Sequence, residues 1–238
     1  MNTDPGAPAR GKLALSELFT SVQGEGPSAG EPCLFVRLAH CNLRCTWCDT
    51  RYSWDFATFN YADEVETAPT AEVAARIRAS RATRLVLTGG EPLIQRTELE
   101  ALLASLDPAL VVEVETNGTL SPGAALLARV NQWNVSPKLA NGGDPAEKRL
   151  KFATLRELAA SGRAYLKLVV STAADVVEAE ELSVAAGWPR ERVLLMPMAA
   201  TRAELRERAP LVRAEALTRG LGYSTRLHVE RWDGERGR

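Results

Sequence analysis

The sequence predicts an α/β fold in which a mainly parallel sheet is covered by helices. Two observations carry that expectation. From about residue 33 onward, short apolar runs alternate with longer stretches of helical apolar spacing, the rhythm of strand–helix units. Each polar motif also falls directly behind a predicted strand, which in parallel α/β folds is the rim where loops converge on a ligand. About six such units are present. A doubly wound sheet and an incomplete barrel both satisfy the pattern, and periodicity does not separate them.

The elements follow in order. Residues 1–12 are rich in Pro, Gly and Ala and read as a flexible extension; residues 13–238 read as one domain, without repeats, low-complexity tracts or a linker. Pro32 to Leu38 is an apolar strand that stops at a cysteine-rich loop. Residues 70–80 form a helix with Thr70 as its N-cap. Arg84 to Thr88 is a short buried strand that runs into Gly89-Gly90-Glu91-Pro92. Thr97-Glu98-Leu99-Glu100 reads as a capping box opening a helix over about 98–106, with Leu99, Leu102, Leu103 and Leu106 on one face. Leu110 to Glu115 is a strand ending at Thr116-Asn117-Gly118, and a helix near 122–129 starts at Pro122. Gln132 to Val135 is a strand ending at Ser136-Pro137-Lys138. A helix over about 147–160, a strand at 165–170 and a helix near 175–186 come next. A strand at 192–195, a long helix over about 201–219 and an extended stretch from Thr225 to Glu230 complete the order.

Composition narrows the function. The chain has 238 residues, 45% of them apolar and 25% charged, enough to bury a sizeable core. A formal net charge of -1 gives no long-range pull toward nucleic acid or an acidic membrane. No apolar run approaches the ~20 residues that span a bilayer. The first residues lack the basic-then-apolar order of a secretory signal. The expectation is a cytoplasmic protein that binds neither nucleic acid nor membrane, whose four cysteines serve a metal or redox role rather than disulfides.

Three of those cysteines share one loop, Cys41-Asn42-Leu43-Arg44-Cys45-Thr46-Trp47-Cys48. Three thiolates at this spacing hold three irons of a cubane and leave the fourth iron open. The competing reading is a structural zinc knuckle, which takes four protein ligands, with Cys33 or His40 as the fourth. Cys33 lies inside a predicted strand and packs as a small hydrophobe. His40 adjoins Cys41, which makes joint chelation awkward. Both metals remain open on spacing alone.

The cysteine loop with Trp47, followed by Gly89-Gly90-Glu91-Pro92, resembles the signature of the radical S-adenosylmethionine (SAM) superfamily. Further segments narrow the resemblance: Gln23-Gly24-Glu25-Gly26, Leu34-Phe35-Val36-Arg37-Leu38, Cys48-Asp49-Thr50, Glu115-Thr116-Asn117-Gly118 and Ser136-Pro137-Lys138. Together, from about residue 15 to the C-terminus, they resemble the 7-carboxy-7-deazaguanine synthase family of the queuosine and deazapurine pathway. The resemblance implies an incomplete TIM-type barrel of about six parallel strands with outer helices. It implies a catalytic 4Fe–4S cluster on Cys41, Cys45 and Cys48, and SAM held by Trp47, Cys48, Asp49, Gly90, Ser136, Pro137 and Lys138. Val22, Gln23, Gly24, Glu25, Arg37 and Thr88 would bind the substrate, 6-carboxy-5,6,7,8-tetrahydropterin, and Thr50 would ligate Mg²⁺.

The implied reaction is a ring contraction to 7-carboxy-7-deazaguanine with loss of ammonia, begun by a deoxyadenosyl radical. Implied partners are an electron donor such as flavodoxin and a second copy of the chain. Met196 stands where many relatives carry Gln, and Asp233 interrupts a Trp-Gly ending; His228 reads either as a substrate neighbour or as a satisfied interior histidine. A radical SAM activase that installs a glycyl radical on a partner enzyme shares the cysteine loop but has no need of Gln23, Glu25 and Arg37. Metal analysis of anaerobically purified protein is expected to give iron and sulfide, not zinc. Cys45→Ala is expected to abolish the brown colour, since two thiolates do not hold a site-differentiated cubane.

Overall fold

The computed structural model describes residues 8–238. Residues 1–7 of the expected N-terminal extension lie outside the described residues. The chain runs β1 (Lys12–Val22), β2 (Pro32–Leu38), α1 (Tyr61–Glu64), β3 (Glu66–Pro69), α2 (Thr70–Ser80), β4 (Arg84–Gly89), α3 (Arg96–Ala104) and β5 (Val111–Thr116). It continues with α4 (Gly123–Arg129), β6 (Gln132–Val135), α5 (Ala146–Arg149), α6 (Phe152–Ala160), β7 (Ala164–Val170) and α7 (Ala173–Ala185). β8 (Val193–Pro197), α8 (Arg202–Thr218), β9 (Gly222–Tyr223) and α9 (Leu227–Trp232) complete it.

Among the described residues, the strands make one nine-stranded sheet in the order β3-β1-β2-β4-β5-β6-β7-β8-β9. β1 pairs antiparallel with β2 and β3, and every pairing from β2 to β9 is parallel. From β2 across to β9 the spatial order is the chain order, β3 alone having turned back to pair with β1. A doubly wound sheet reverses direction at a switch point; this one does not. Crossovers of one hand that always step the same way lay their helices on one face. The result is an open barrel-like sheet, with β3 and β9 as its unjoined edges.

Alternation along each strand divides the two faces. Leu34, Val36, Leu85, Leu87, Val112, Val114, Trp133, Leu166, Leu168 and Leu195 join the main core with helix residues such as Leu99, Leu102, Leu155 and Val176. The intervening positions carry Arg37, Thr88, Glu113, Glu115, Asn134 and Lys167. Strands of a parallel sheet are ordinarily apolar on both faces. Here the interior face sets charged and polar side chains among apolar ones such as Phe35, Val86 and Met196, which marks it as a site. No described helix is long and apolar enough to cross a membrane.

Several local expectations are corrected. α3 opens at Arg96 with Gln95 as N-cap and no side-chain cap, so Thr97 forms no capping box. The 3-10 turn Pro92–Gln95 runs straight into the helix and leaves no free end there to cap. Thr70 is the first residue of α2, behind Pro69, and its Oγ1 donates to Glu98 at 3.3 Å. The expected helix over 147–160 is two helices with Leu150 and Lys151 extended between them. Arg149 anchors the first, donating to the Lys138 carbonyl at 2.8 Å and pairing with Glu178 at 2.9 Å, while Leu155 and Leu158 seat the second on the core. The stretch Thr225 to Glu230 is not extended: it contains most of α9. A helical turn there buries Val229 with Ala199 and Leu205 and lets the Leu227 N–H bond the Gly24 carbonyl at 2.8 Å. β1 was not foreseen because Ser16, Glu17, Thr20 and Ser21 break its apolar run, and its register with β2 shifts between Leu15 and Glu17.

Leu87 is fully buried and Leu217 is 82% exposed. Leu87→Ala is expected to cost about 2–5 kcal/mol in denaturant unfolding, and Leu217→Ala to stay within about 0.5 kcal/mol of wild type.

Candidate active site

The site begins where β2 ends. Ala39 and His40 turn the chain into the cysteine loop, with His40 at φ 73. Gly89 and Gly90 at the end of β4 lie directly against this turn. A Cβ on Gly90 would stand 2.1 Å from the His40 carbonyl oxygen and 2.8 Å from Cys41 Cβ; one on Gly89, at φ +147, would stand 2.1 Å from the Leu38 carbonyl oxygen. The glycines therefore admit the cysteine loop itself, and Gly90 also faces the cavity. The Gly90 N–H donates to Leu38 O at 3.1 Å and the Glu91 N–H to His40 O at 2.8 Å.

Glu91 is fully buried at the join. Its carboxylate accepts from Thr116 Oγ1 at 2.9 and 3.0 Å, the Asn117 N–H at 2.7 Å and the Leu93 N–H at 3.0 Å. Burial raises its pKa against these bonds. Asn117 Nδ2 donates to Asn42 Oδ1 at 2.9 Å, and Asn42 Nδ2 to Thr119 Oγ1 at 2.8 Å. One hydrogen-bonded knot thus joins the cysteine loop to the ends of β4 and β5.

Cys41, Cys45 and Cys48 are free and line one cavity of about 360 Å³. Cys48 Sγ accepts from Trp54 Nε1 at 3.2 Å and lies 3.6 Å from Thr50 Oγ1. Burial pushes the Cys41 thiol up to about 12 and raises Cys45 as well. Such thiols ionise when a metal supplies compensating charge. Among the described residues no three metal-ligating side chains converge as the ligands of a single zinc do. A cubane takes its thiolates on separate irons, and Cys41, Cys45 and Cys48 all line the same cavity.

The same cavity gathers nearly every other expected residue. Trp47, Asp49, Gly90, Ser136 and Lys138 line it; Pro137 does not. Lys138 Nζ donates to Ser136 Oγ at 3.0 Å and stands 5.3 Å from the Trp47 ring centre. Val22, Gln23, Gly24, Glu25, Arg37 and Thr88 line it as well, and so does Thr50, whose hydroxyl is the oxygen type Mg²⁺ takes. Met196 is in the wall. Cys33 is instead buried beside Phe35 and Val86, its thiol pushed up to about 12 by burial and by Glu113 and Glu115.

Charge is organised across the interior. Arg37 Nε donates to Glu17 at 2.8 Å. Glu17 also accepts from Tyr52 at 2.7 Å and Arg236 at 2.7 Å. Arg236 lies 3.8 Å over the Tyr52 ring, so the C-terminal tail borders the cavity mouth. Glu25 is held from both sides, by Lys167 and by Arg226 at 3.0 Å, and Arg226 reaches on to Asp49. Burial alone would raise the Glu25 carboxyl, but Lys167 and Arg226 hold it well below the usual carboxylate range. Asp49 is lowered likewise, Arg226 overcoming its burial. Burial lowers the pKa of His228 and favours its neutral form.

Sequence reasoning missed Lys167, Arg226 and Glu115. A signal for Lys167 was present: it is the one charge in the apolar strand Ala164–Val170. Arg226 heads the Arg226-Leu227-His228 tail that resembles the family's ending, but nothing along the chain pointed to its partners Glu25 and Asp49, 201 and 177 residues away.

Comparison with known proteins agrees with this geometry. The radical SAM superfamily profile matches residues 36–198. A 7-carboxy-7-deazaguanine synthase of Pyrobaculum aerophilum is 42% identical over 95% of this chain and 98% of its own. Those of Hyperthermus butylicus (37% identical, 91% and 92% covered) and Halobacterium salinarum (36%, 93% and 91%) are also similar. The crystal structure of QueE from Escherichia coli superposes with a TM-score of 0.70 at 25% identity, covering 91% of this chain and 95% of that one.

Because the folded pKa of Glu25 is depressed, its ion pairs contribute fully above the unfolded value of about 4.3 and are lost as pH falls through the folded value. The difference in melting temperature between wild type and Glu25→Gln is therefore expected to be constant above about pH 5.5 and to shrink below about pH 4.

Proposed function

The chain belongs to the radical SAM superfamily and, within it, to the 7-carboxy-7-deazaguanine synthase family, and we propose on that footing that it converts 6-carboxy-5,6,7,8-tetrahydropterin to 7-carboxy-7-deazaguanine with loss of ammonia. The observation that carries this reading is a single cavity lined by three free thiols together with Gln23, Glu25 and Arg37. Its volume suits a small molecule. A glycyl-radical activase is not favoured, because these polar groups answer to a small polar ring rather than to a protein segment.

When bound, a 4Fe–4S cluster on Cys41, Cys45 and Cys48, with SAM at its open iron, supplies a carbon radical able to take hydrogen from the substrate. The chain's own residues position the reactants. Trp47, Asp49, Gly90, Ser136 and Lys138 surround the place for SAM, and Lys138 supplies a compact cation for its carboxylate. Arg37 spends only Nε on Glu17, so its terminal nitrogens remain for the substrate carboxylate as a planar fork. Glu25 accepts from the amino and ring N–H donors at the opposite edge of the pterin. Gln23 and Thr88 set the ring between them. The Thr50 hydroxyl and the substrate carboxylate would hold Mg²⁺, which keeps waters and takes few protein ligands.

We place the activity in one catalytic domain over residues 13–238, in a homodimer of the cytoplasm that is reduced by a flavodoxin-type donor. Support for the location is the cysteine usage and the soluble-enzyme composition. Anaerobic incubation with the carboxytetrahydropterin, SAM, Mg²⁺ and a strong reductant is expected to yield the deazaguanine; deoxyadenosine release without that product would overturn the substrate reading. Arg37→Ala is expected to lower kcat/KM by an amount equivalent to about 2–5 kcal/mol, seen first as a raised KM.

A further inference from the structure

Lys167 enters the cavity from β7 and stands between two carboxylates that come from distant parts of the chain. Its Nζ bonds Glu25 and lies 3.7 Å from Glu115 Oε1. Glu115 projects from β5, accepting from Thr88 Oγ1 at 2.7 Å and Gln23 Nε2 at 3.3 Å. The Lys167 side chain is 5% exposed. Burial by itself would favour the neutral amine, but Glu25 and Glu115 outweigh it and hold the ammonium charged.

The charges facing this lysine do not balance without it. Arg226 also bonds Glu25, yet it is shared with Asp49. His228 is 3.9 Å from Glu25 and, with its pKa lowered by burial, offers no resident charge. Glu113 is paired with Arg84 on its own side of the interior. Glu25 and Glu115 therefore face Lys167, while Arg226 is divided between Glu25 and Asp49. Removal of Lys167 leaves Glu25 and Glu115 as neighbouring acids with only a guanidinium that is also engaged by Asp49, and like charges that share a site favour retention of a proton between them. A protonated carboxyl presents a donor where the substrate edge also presents donors.

We infer that Lys167 is a positioning residue that keeps Glu25 and Glu115 together as hydrogen-bond acceptors, so that the substrate's amino and ring N–H edge meets acceptors at neutral pH. This rests on the substrate reading above. It assigns Lys167 no contact with the reacting atoms and makes it a determinant of specificity for a ring edge built of donors.

The test is equilibrium binding of 6-carboxypterin, a redox-stable analogue, to the anaerobic SAM-loaded holoprotein, from about pH 6 to about pH 9. The ratio of variant to wild-type Kd at each pH cancels the ligand's own ionisation. For Lys167→Met the ratio is expected to be about tenfold or more near pH 6.5 and to fall to about threefold or less near pH 9, as the carboxylate pair gives up its extra proton. Lys167→Arg is expected to stay within about threefold of wild type throughout. A Lys167→Met ratio that is the same at every pH, or near one everywhere, would overturn the inference and leave the lysine a structural strut. Failure of wild type itself to bind would instead sink the substrate reading, and this inference with it. Should Lys167→Met not fold, the double variant Lys167→Met/Glu115→Gln removes one acid together with the cation. It is expected to fold with a pH-independent ratio, and loss of folding or persistent pH dependence there would overturn the inference.

Discussion

The Glu91 carboxylate is the point on which the site's geometry depends. It is fully buried and is stabilised by three donors, the Thr116 hydroxyl shared between its two oxygens and the N–H groups of Asn117 and Leu93. Burying a carboxyl group is costly unless its lone pairs are satisfied. Here the satisfying donors belong to the ends of neighbouring strands, so satisfying Glu91 also fixes how β4 and β5 end. The Glu91 N–H in turn bonds His40 O, and Asn117 bonds Asn42. The cysteine loop is thereby placed by the sheet rather than by its own stiffness. Gly89 and Gly90 complete the arrangement because any Cβ there would collide with the chain that leads into Cys41.

A second constraint runs across the interior. The apolar half of each strand faces the helices and forms the core. The other half carries buried charges among apolar side chains, and those charges would be orphaned if they were not paired. The pairing chain Glu115–Lys167–Glu25–Arg226–Asp49 crosses the cavity from β5 to the cysteine loop. Such a chain is poor as a source of stability, since desolvation offsets much of its Coulomb attraction. It makes better sense as preorganisation of a polar binding site, with acceptors and cations held before any ligand arrives.

Much of this was legible in the sequence where the signal is local. The strands at Pro32–Leu38 and Gln132–Val135 and the helix over 70–80 fall where their apolar spacing put them. The leucine face of α3 is buried as read, but its start is not where Thr97 suggested, because a preceding 3-10 turn supplies the first residues. β1 has no continuous apolar signal, because Ser16, Glu17, Thr20 and Ser21 interrupt its run. The segment at α9 reads as extended in isolation, and is helical because Val229 finds a small apolar cluster to enter.

By itself the sequence determined the order of strands and helices, the cysteine spacing and the glycines behind β4, since each is a matter of neighbours along the chain. Only the tertiary structure decided between a doubly wound sheet and an open barrel, because strand order is a relation between elements and leaves no periodic trace. It also decided that Lys167 and Arg226 grip Glu25, across 142 and 201 residues. A charge declares its chemistry in the sequence, but its partner is chosen by whichever opposite charge the folded interior brings within a few ångströms.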